Sequence, residues 1–281
     1  MQSLKPLEAG VMFWAGRDAL EDVRSAGVRC GQLGLPGGME LTDAAATQWK
    51  RDLDDAAFTI VTVFAAYDGE SYADIATVQQ TVGFIPPSTR DEREARTLAV
   101  SDFAAKLGVK SIACHIGFVP EDSADPDYVA VRDLVRRICD HAAGHGQSFA
   151  LETGQEPAAV LLRFLADCAR PNLGINFDPA NLILYGTGEP IGALRILAPH
   201  VISVHAKDGD WPPKETPGAL GTERALGQGA VGIQQFVRTL ADLGFQGTLN
   251  VEREGAAPGE WLHDVSAAVR LLNSYSISKE T

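Results

Sequence analysis

The chain has 281 residues, 45% of them hydrophobic, and a formal net charge of −13 at pH 7. This length and composition suit a globular protein of one large domain or two small ones, and they exclude a disordered chain. The acidity argues against nucleic acid or an anionic membrane as a partner, because both need a basic surface, but it leaves room for a small-molecule substrate.

Targeting and redox signals are weak. No stretch approaches the ~18 apolar residues of a membrane span, and residues 1–16 lack the charged start and long apolar run of a signal peptide. The cysteines at 30, 114, 139 and 168 form no Cys-x-x-Cys pair and are expected to be buried free thiols. We therefore expect a cytoplasmic protein.

Short apolar runs alternate with amphipathic segments along the whole chain. Strands are predicted over 9–16, 28–35, 58–67, 109–117, 147–154, 172–178, 201–208 and 247–254. Helices are predicted over 18–26, 42–56, 89–107, 126–144, 156–168, 190–197, 232–243 and 260–275. Eight alternating β and α units predict a parallel sheet closed into a (βα)8 TIM barrel, as a single domain over residues 1–281.

Two connections are unusually long. Residues 68–88 follow the third predicted strand, and residues 209–230 follow the seventh. Both precede a helix, so they fall on the barrel face where active sites lie. Loops of this length are usually functional or disordered, and these two are expected to set substrate specificity.

Strands four to eight share one pattern. In each strand one side is apolar and faces the helices, whereas the other is small or polar and faces the barrel interior. In strand seven, for example, Ile202 and Val204 oppose Ser203, His205 and Lys207. Every polar row contains an ionisable group near its carboxyl end, and these groups are His115, Glu152, Asp178, His205 and Glu252.

Three carboxylates cannot share a small space without a cation, because each repels the charge of the others. Taken singly, each of these groups also fits a structural role, as a solvated charge at a strand end, a hydrogen-bonded core histidine or a helix cap. Their common parity at one barrel mouth favours a site for one divalent metal ion. The oxygen-rich set suits Mn²⁺, Mg²⁺ or Co²⁺, with Zn²⁺ as an alternative.

Other residues are candidates for contacts with substrate. His115 is the metal candidate that also suits a substrate contact, and Lys207 could meet a substrate oxygen or be solvated past its strand. Trp14 ends strand one and could wall the pocket, whereas Asn181 and Gln228 are candidate hydroxyl binders. The remaining histidines, at 141, 145, 200 and 263, are expected to be structural or solvated.

At this point the sequence resembles the xylose isomerase-like TIM-barrel superfamily, the sugar phosphate isomerase/epimerase group. The segments that carry the resemblance are "ALETG", "NFDPANLILYG", "VHAKDGDW" and "LGQGAVGIQQFVRTLADLGFQGTLNVERE". In that group four residues after strands five to eight hold one metal ion. The resemblance implies that Glu152, Asp178, His205 and Glu252 do so here.

The group includes ketose 3-epimerases, hydroxypyruvate isomerase-like enzymes, inosose dehydratases and endonuclease IV. Ketose 3-epimerases of this type usually carry a histidine where this chain has Asn181, which argues against a tagatose- or psicose-type substrate. Endonuclease IV needs a histidine-rich three-zinc cluster and a DNA-binding face. Six histidines and a charge of −13 argue against it.

The sequence thus predicts a metal-dependent isomerase or epimerase acting on a small sugar, keto acid or other hydroxy-carbonyl compound. A homo-oligomer is compatible with the same sequence. Glu152 and Glu252 are predicted to move a substrate proton through a metal-bound enediolate. A dehydratase that uses His115 or Lys207 as an acid is the alternative enzyme. A non-catalytic sugar-binding barrel is the alternative outside enzymes.

Overall fold

A computed structural model describes residues 7–277 and contains a closed barrel of eight parallel strands surrounded by helices. The barrel strands are β1 (Ala9–Trp14), β2 (Cys30–Leu35), β3 (Thr59–Ala65), β4 (Ser111–Cys114), β5 (Ser148–Glu152), β6 (Leu173–Phe177) and β7 (Val201–Ala206), closed by β10 (Leu249–Val251). A hairpin of β8 (Asp208–Asp210) and β9 (Thr222–Arg224) precedes the last strand. The predicted (βα)8 barrel is confirmed. The ends of the predicted domain, including the start of the segment tested for a signal peptide, lie outside the described residues.

The helices are α1 (Leu20–Ser25), α2 (Asp43–Asp55), α3 (Ile75–Thr81), α4 (Arg90–Leu107), α5 (Pro126–Gly144), α6 (Ala158–Cys168), α7 (Pro179–Leu184), α8 (Pro190–Leu197), α9 (Ile233–Asp242) and α10 (Trp261–Ile277). Local chemistry sets their ends. The Thr42 hydroxyl accepts a hydrogen bond from the Ala45 amide at the start of α2, and Gly108 ends α4 in the left-handed conformation. Among residues 7–277, no helix combines the length and apolar content needed to cross a bilayer.

Both long connections are more structured than the sequence predicts. Residues 68–88 contain α3, whose first turn is capped by the Asp74 carboxylate. The second loop is held by Asp208, whose carboxylate accepts hydrogen bonds from the amides of Gly209, Gly227, Gly229 and Val231. A Cβ atom on Gly229 would lie 2.4 Å from Asp208 Oδ1, so this close approach requires glycine.

The main apolar core lies between the strands and the helices, and it includes three of the four cysteines. All four cysteines are buried and free, as predicted. A smaller cluster fills the barrel interior and consists of Met12, Phe64, Ala113 and Ala150. Ile202 packs against this inner cluster, so its predicted position facing the helices is wrong. The reason is a register shift between Ile175 and Asn176 where β6 pairs with β7, which breaks the simple alternation.

Candidate metal centre and active site

Four ionisable side chains converge at the carboxyl end of the barrel. Glu152 ends β5, Asp178 follows β6, His205 lies in β7 and Glu252 follows β10. Each offers one ligand atom, and these four atoms all lie within 4.8 Å of one another. All four residues are buried, with Asp178 and His205 completely inaccessible to solvent. The structure thus brings together the four residues that the sequence predicts as metal ligands.

The oxygens of this cluster are only partly satisfied by the protein. Asp178 Oδ1 accepts the Asn181 amide at 3.0 Å and so caps α7. Asp178 Oδ2 is buried and accepts no hydrogen bond from any residue in the described part of the chain. A buried oxygen of this kind costs about 1–3 kcal/mol unless something else binds it. Three carboxylates, one of them with an unsatisfied oxygen, and one imidazole form a donor set that fits a divalent cation.

His205 is oriented by both of its ring nitrogens. Nδ1 faces the carboxylates, at 2.8 Å from Glu152 Oε1 and 3.3 Å from Glu252 Oε2. Nε2 lies 2.7 Å from Gln32 Oε1, and the Gln32 amide in turn donates to Asn176 Oδ1 at 3.0 Å. When Nε2 carries the proton and donates it to Gln32, Nδ1 keeps a lone pair for a metal ion, which is the usual arrangement around a histidine ligand.

Gln32 was not among the residues predicted from the sequence. It lies in the middle of β2 and is completely buried. A glutamine within an otherwise apolar and glycine-rich strand is the signal that could have revealed it, since buried amides need partners.

Burial and the charges of neighbouring groups set the pKa values of this cluster. Burial alone would lower the pKa of His205, but the carboxylates of Glu252 and Glu152 outweigh this and raise it well above its ordinary value. Burial would raise the pKa of Glu152, yet His115 and His205 lower it to about 2. Asp178 differs, because burial outweighs the attraction of Lys207 and raises its pKa to about 6. For His205 and Glu152, the charged form is thus stabilised by oppositely charged neighbours.

Lys207 is buried beside this cluster, so its alternative reading as a solvated lysine past the strand end is wrong. Its Nζ atom lies 2.7 Å from Glu252 Oε2 and 3.4 Å from Glu254 Oε2. Glu254, which sequence reasoning missed, is held by Glu223, whose carboxylate accepts the Glu254 amide at 3.0 Å. Two glutamates after β10 thus pair with the Lys207 ammonium group, and Asp178 Oδ2 lies 3.9 Å from it.

A cavity of about 230 Å³ adjoins the four-residue cluster, and Glu252 is the cluster member that lines it. Four of the predicted substrate contacts line it: Trp14, His115, Asn181 and Lys207. Both long loops also contribute to the lining, with Glu70, Tyr72, Leu220, Gly221 and Glu223. This volume is below the ~300 Å³ lower end of typical drug-sized sites, so it suits a small ligand. Gln228 is exposed and lies outside this lining, because its segment is turned towards Asp208.

His115 lies just after β4 and forms part of the cavity wall. Its Nε2 atom is 2.9 Å from Glu152 Oε2, and Gln155 contacts its Nδ1 atom at 3.2 Å. The contact with Glu152 is an ion pair whose angles are not those of a hydrogen bond. Burial would lower the pKa of His115, but Glu152 outweighs burial and raises it to about 9. His115 therefore stands beside the ligand set rather than within it.

Comparisons with known proteins agree with this fold. The sequence profile of the family described as xylose isomerase-like TIM barrel matches residues 20–275. The crystal structure of a xylose isomerase domain protein from Planctomyces limnophilus is 42% identical, with a TM-score of 0.91, covering 96% of this chain and 98% of that one.

Two more distant structures show the fold alone. A xylose isomerase-like TIM barrel protein from Mycobacterium smegmatis in complex with magnesium is 17% identical with a TM-score of 0.70, and covers 98% of each chain. A D-tagatose 3-epimerase-like protein is also 17% identical, with a TM-score of 0.73 over 96% of this chain and 97% of that one. The uncharacterized protein YihM of Escherichia coli strain K12 is 28% identical over 54% of this chain, and the match spans 47% of that protein.

Proposed function

The chain belongs to the xylose isomerase-like TIM-barrel family, and from this premise we propose that it is a divalent-metal-dependent isomerase or epimerase of a small, uncharged hydroxy-carbonyl compound. One observation carries the proposal. Two buried glutamates, Glu152 and Glu252, cluster with a histidine and with an aspartate that has an unsatisfied oxygen, and Glu252 also lines a small cavity.

The donor set indicates where a metal ion would be held. Glu152, Asp178, His205 and Glu252 would bind Mn²⁺, Mg²⁺ or Co²⁺, and Zn²⁺ is also compatible with these ligands. When bound, such an ion acts as a Lewis acid that polarises a substrate carbonyl and makes the neighbouring C–H more acidic.

The two glutamates are suited to move the proton. Their strands, β5 and β10, lie on either side of β6 and β7 in the barrel, so the carboxylates approach from two sides. One glutamate removes the proton beside the carbonyl and leaves an enediolate, and the other returns a proton. Return to the opposite face of the same carbon gives the epimer, whereas return to the neighbouring carbon, with transfer of the hydroxyl proton from one oxygen to the other, gives the isomer.

Each glutamate has its own positive partner. His115 lies 2.9 Å from Glu152, and Lys207 lies 2.7 Å from Glu252. These partners favour the ionised form of each carboxylate, which is the form that accepts a proton. One carboxylate accepts the proton in its ionised form, and the other returns a proton that it takes from its own cationic partner, His115 for Glu152 or Lys207 for Glu252.

The charges of the cavity favour an uncharged substrate. Among the described lining residues, Lys207 is the one lysine or arginine, and its ammonium group is already paired with Glu252 and Glu254. A phosphate group would therefore meet mostly carboxylates. Aromatic rings such as Trp14 and an amide such as Asn181 instead suit the apolar faces and hydroxyl groups of a sugar.

A substrate screen in D₂O tests the proposal. The protein is supplied with Mn²⁺ and incubated with neutral ketoses and inososes, and with keto acids as charged compounds that are expected to remain unchanged, and the products are read by NMR. The proposal expects deuterium at the carbon beside the carbonyl in a product of unchanged formula. A product that has lost water indicates the dehydratase, and binding without deuterium uptake indicates a non-catalytic sugar-binding barrel.

A further inference from the structure

A second group of potential metal ligands lies on the outside of the barrel, between α4 and α5. Asp102 is in α4, His141 is in the last turn of α5, and His145 directly follows that helix. The Nε2 atoms of the two histidines lie 2.7 and 2.8 Å from the same oxygen, Asp102 Oδ1. Three side chains thus direct ligand atoms at one point without any role in the cavity described above.

This group lies at the opposite end of the barrel from the cavity. Helix α4 ends three residues before β4 begins, and α5 ends shortly before β5, so both helix ends are close to the amino ends of the strands. The catalytic face of such barrels is at the carboxyl ends, whereas the amino-terminal face serves mainly stability. Any ion held here would act on the fold and not on the substrate.

The local backbone suits a cation. A spacing of four residues places His141 and His145 on one side of the helix end, where their rings lie 5.3 Å apart. The last turn of a helix carries a partial negative charge, which favours a bound cation.

Neighbouring contacts hold the group in place. Arg137 makes two hydrogen bonds to Glu94, at 2.6 and 2.7 Å, one helical turn before His141, and this pair also joins α5 to α4. The Lys110 ammonium group binds the His145 carbonyl at 2.9 Å and fixes its backbone. The three ligand side chains remain between 32% and 48% exposed, so an ion and its water ligands can reach them.

The distances allow coordination after a small movement. Metal–ligand bonds of ~2.0–2.1 Å in a tetrahedral site separate the ligand atoms by ~3.3 Å. Side-chain rotation that moves the two Nε2 atoms away from Asp102 Oδ1 by roughly half an ångström opens the present contacts to that spacing, as estimated from the same bond lengths. Two imidazoles and one carboxylate, with one position open to water, form a set that favours Zn²⁺, Ni²⁺ or Cu²⁺ over Mg²⁺.

We propose that Asp102, His141 and His145 form a second, peripheral site for a divalent transition metal of the Zn²⁺ class, which links α4 to α5. The site is independent of the function proposed for the cavity. The simpler alternative is a hydrogen-bonded contact between the two helices with no affinity for metal.

Equilibrium dialysis against Zn²⁺ tests this proposal, at a free concentration of about 10 μM, chosen for a Kd near ~1 μM. The readout is the difference in bound Zn²⁺ between the parent and each of two variants, His141→Gln and His145→Gln. The proposal expects each variant to bind one equivalent fewer, whether or not the cavity itself holds an ion. His263→Gln is the matched control, because it removes an exposed imidazole beside Asp264 on α10, and it should bind as much Zn²⁺ as the parent.

A thermal measurement supports the assignment to the two helices. Zn²⁺ should raise the Tm of the parent and of His263→Gln more than that of His141→Gln, since binding to the native state stabilises it. Circular dichroism checks that the variants are folded. Equal Zn²⁺ binding by the parent and both histidine variants would overturn the proposal, and so would the loss of an equivalent in His263→Gln.

Discussion

Replacing Gln32 by methionine should weaken metal binding without touching any of the four ligands. The side chain has a similar length, but it cannot accept the hydrogen bond from His205 Nε2, which is 2.7 Å long in the parent. The ring then loses the contact that fixes its proton on Nε2 and its lone pair on Nδ1. Nδ1 is the atom that faces Glu152 and Glu252.

The size of the effect follows from the partners that are lost. Loss of a hydrogen-bond partner behind a ligand typically costs ~10–100-fold in metal affinity, or about 1.4–2.7 kcal/mol. The His205 ring is completely buried, so its unpaired N–H also costs about 1–3 kcal/mol of stability. Asn176 loses less, because Ser203 still donates to its Oδ1 atom at 2.6 Å.

Calorimetric titration with Mn²⁺ measures the first effect, and urea unfolding measures the second. Gln147→Met is the matched control, because Gln147 is also a buried glutamine whose hydrogen bonds go to Ser101 and Val109 at the amino end of β5. This control should lose stability and keep the parent's Mn²⁺ affinity. Mn²⁺ binding by Gln32→Met within twofold of the parent would refute the role assigned to His205 Nδ1.

Three further predictions, on four substitutions, concern the cavity and its surroundings. Asp178→Asn should weaken Mn²⁺ binding at least about tenfold, because it neutralises one ligand of the set; unchanged binding in the same titration would mean that the ligands are wrong. Glu152→Gln and Glu252→Gln should each lower kcat by ~10²–10⁴-fold, and a loss below tenfold with metal content intact would leave that residue as a ligand or a wall. Glu156 accepts the Val119 amide through one oxygen, and burial raises its pKa from 4.5 to about 8, so the native state favours the protonated acid. Its contribution to stability is complete below pH 4.5 and is lost as the pH rises to about 8, on the order of a few kcal/mol; Glu156→Gln should be more stable than the parent above pH 8 in urea unfolding, and parallel pH curves for the two proteins would contradict this.

The convergence of the four cluster residues was predictable because they obey a local rule. Glu152, Asp178, His205 and Glu252 each lie at or just past the carboxyl end of a strand, on the side that alternation assigns to the barrel interior. That rule needs only the strand positions and a closed parallel barrel. Gln32 escaped it because the interior of the first strands is mostly apolar, as Met12 and Phe64 show.

The remaining differences depend on contacts that are distant in sequence. Ile202 faces the interior because of a register shift between two strands, and no single strand records such a shift. The β8–β9 hairpin has strands of three residues, and the segment after β9 is held by Asp208 through amides about twenty residues away. Helices α3 and α7 have only seven and six residues, too few to display an amphipathic period.

The most direct test of the metal centre is an anomalous difference map from crystals grown with Mn²⁺. We expect one strong peak bonded to Glu152, Asp178, His205 and Glu252, with Gln32 still hydrogen-bonded to His205. A map without a peak between these residues, from crystals in which all four side chains are ordered, would contradict it.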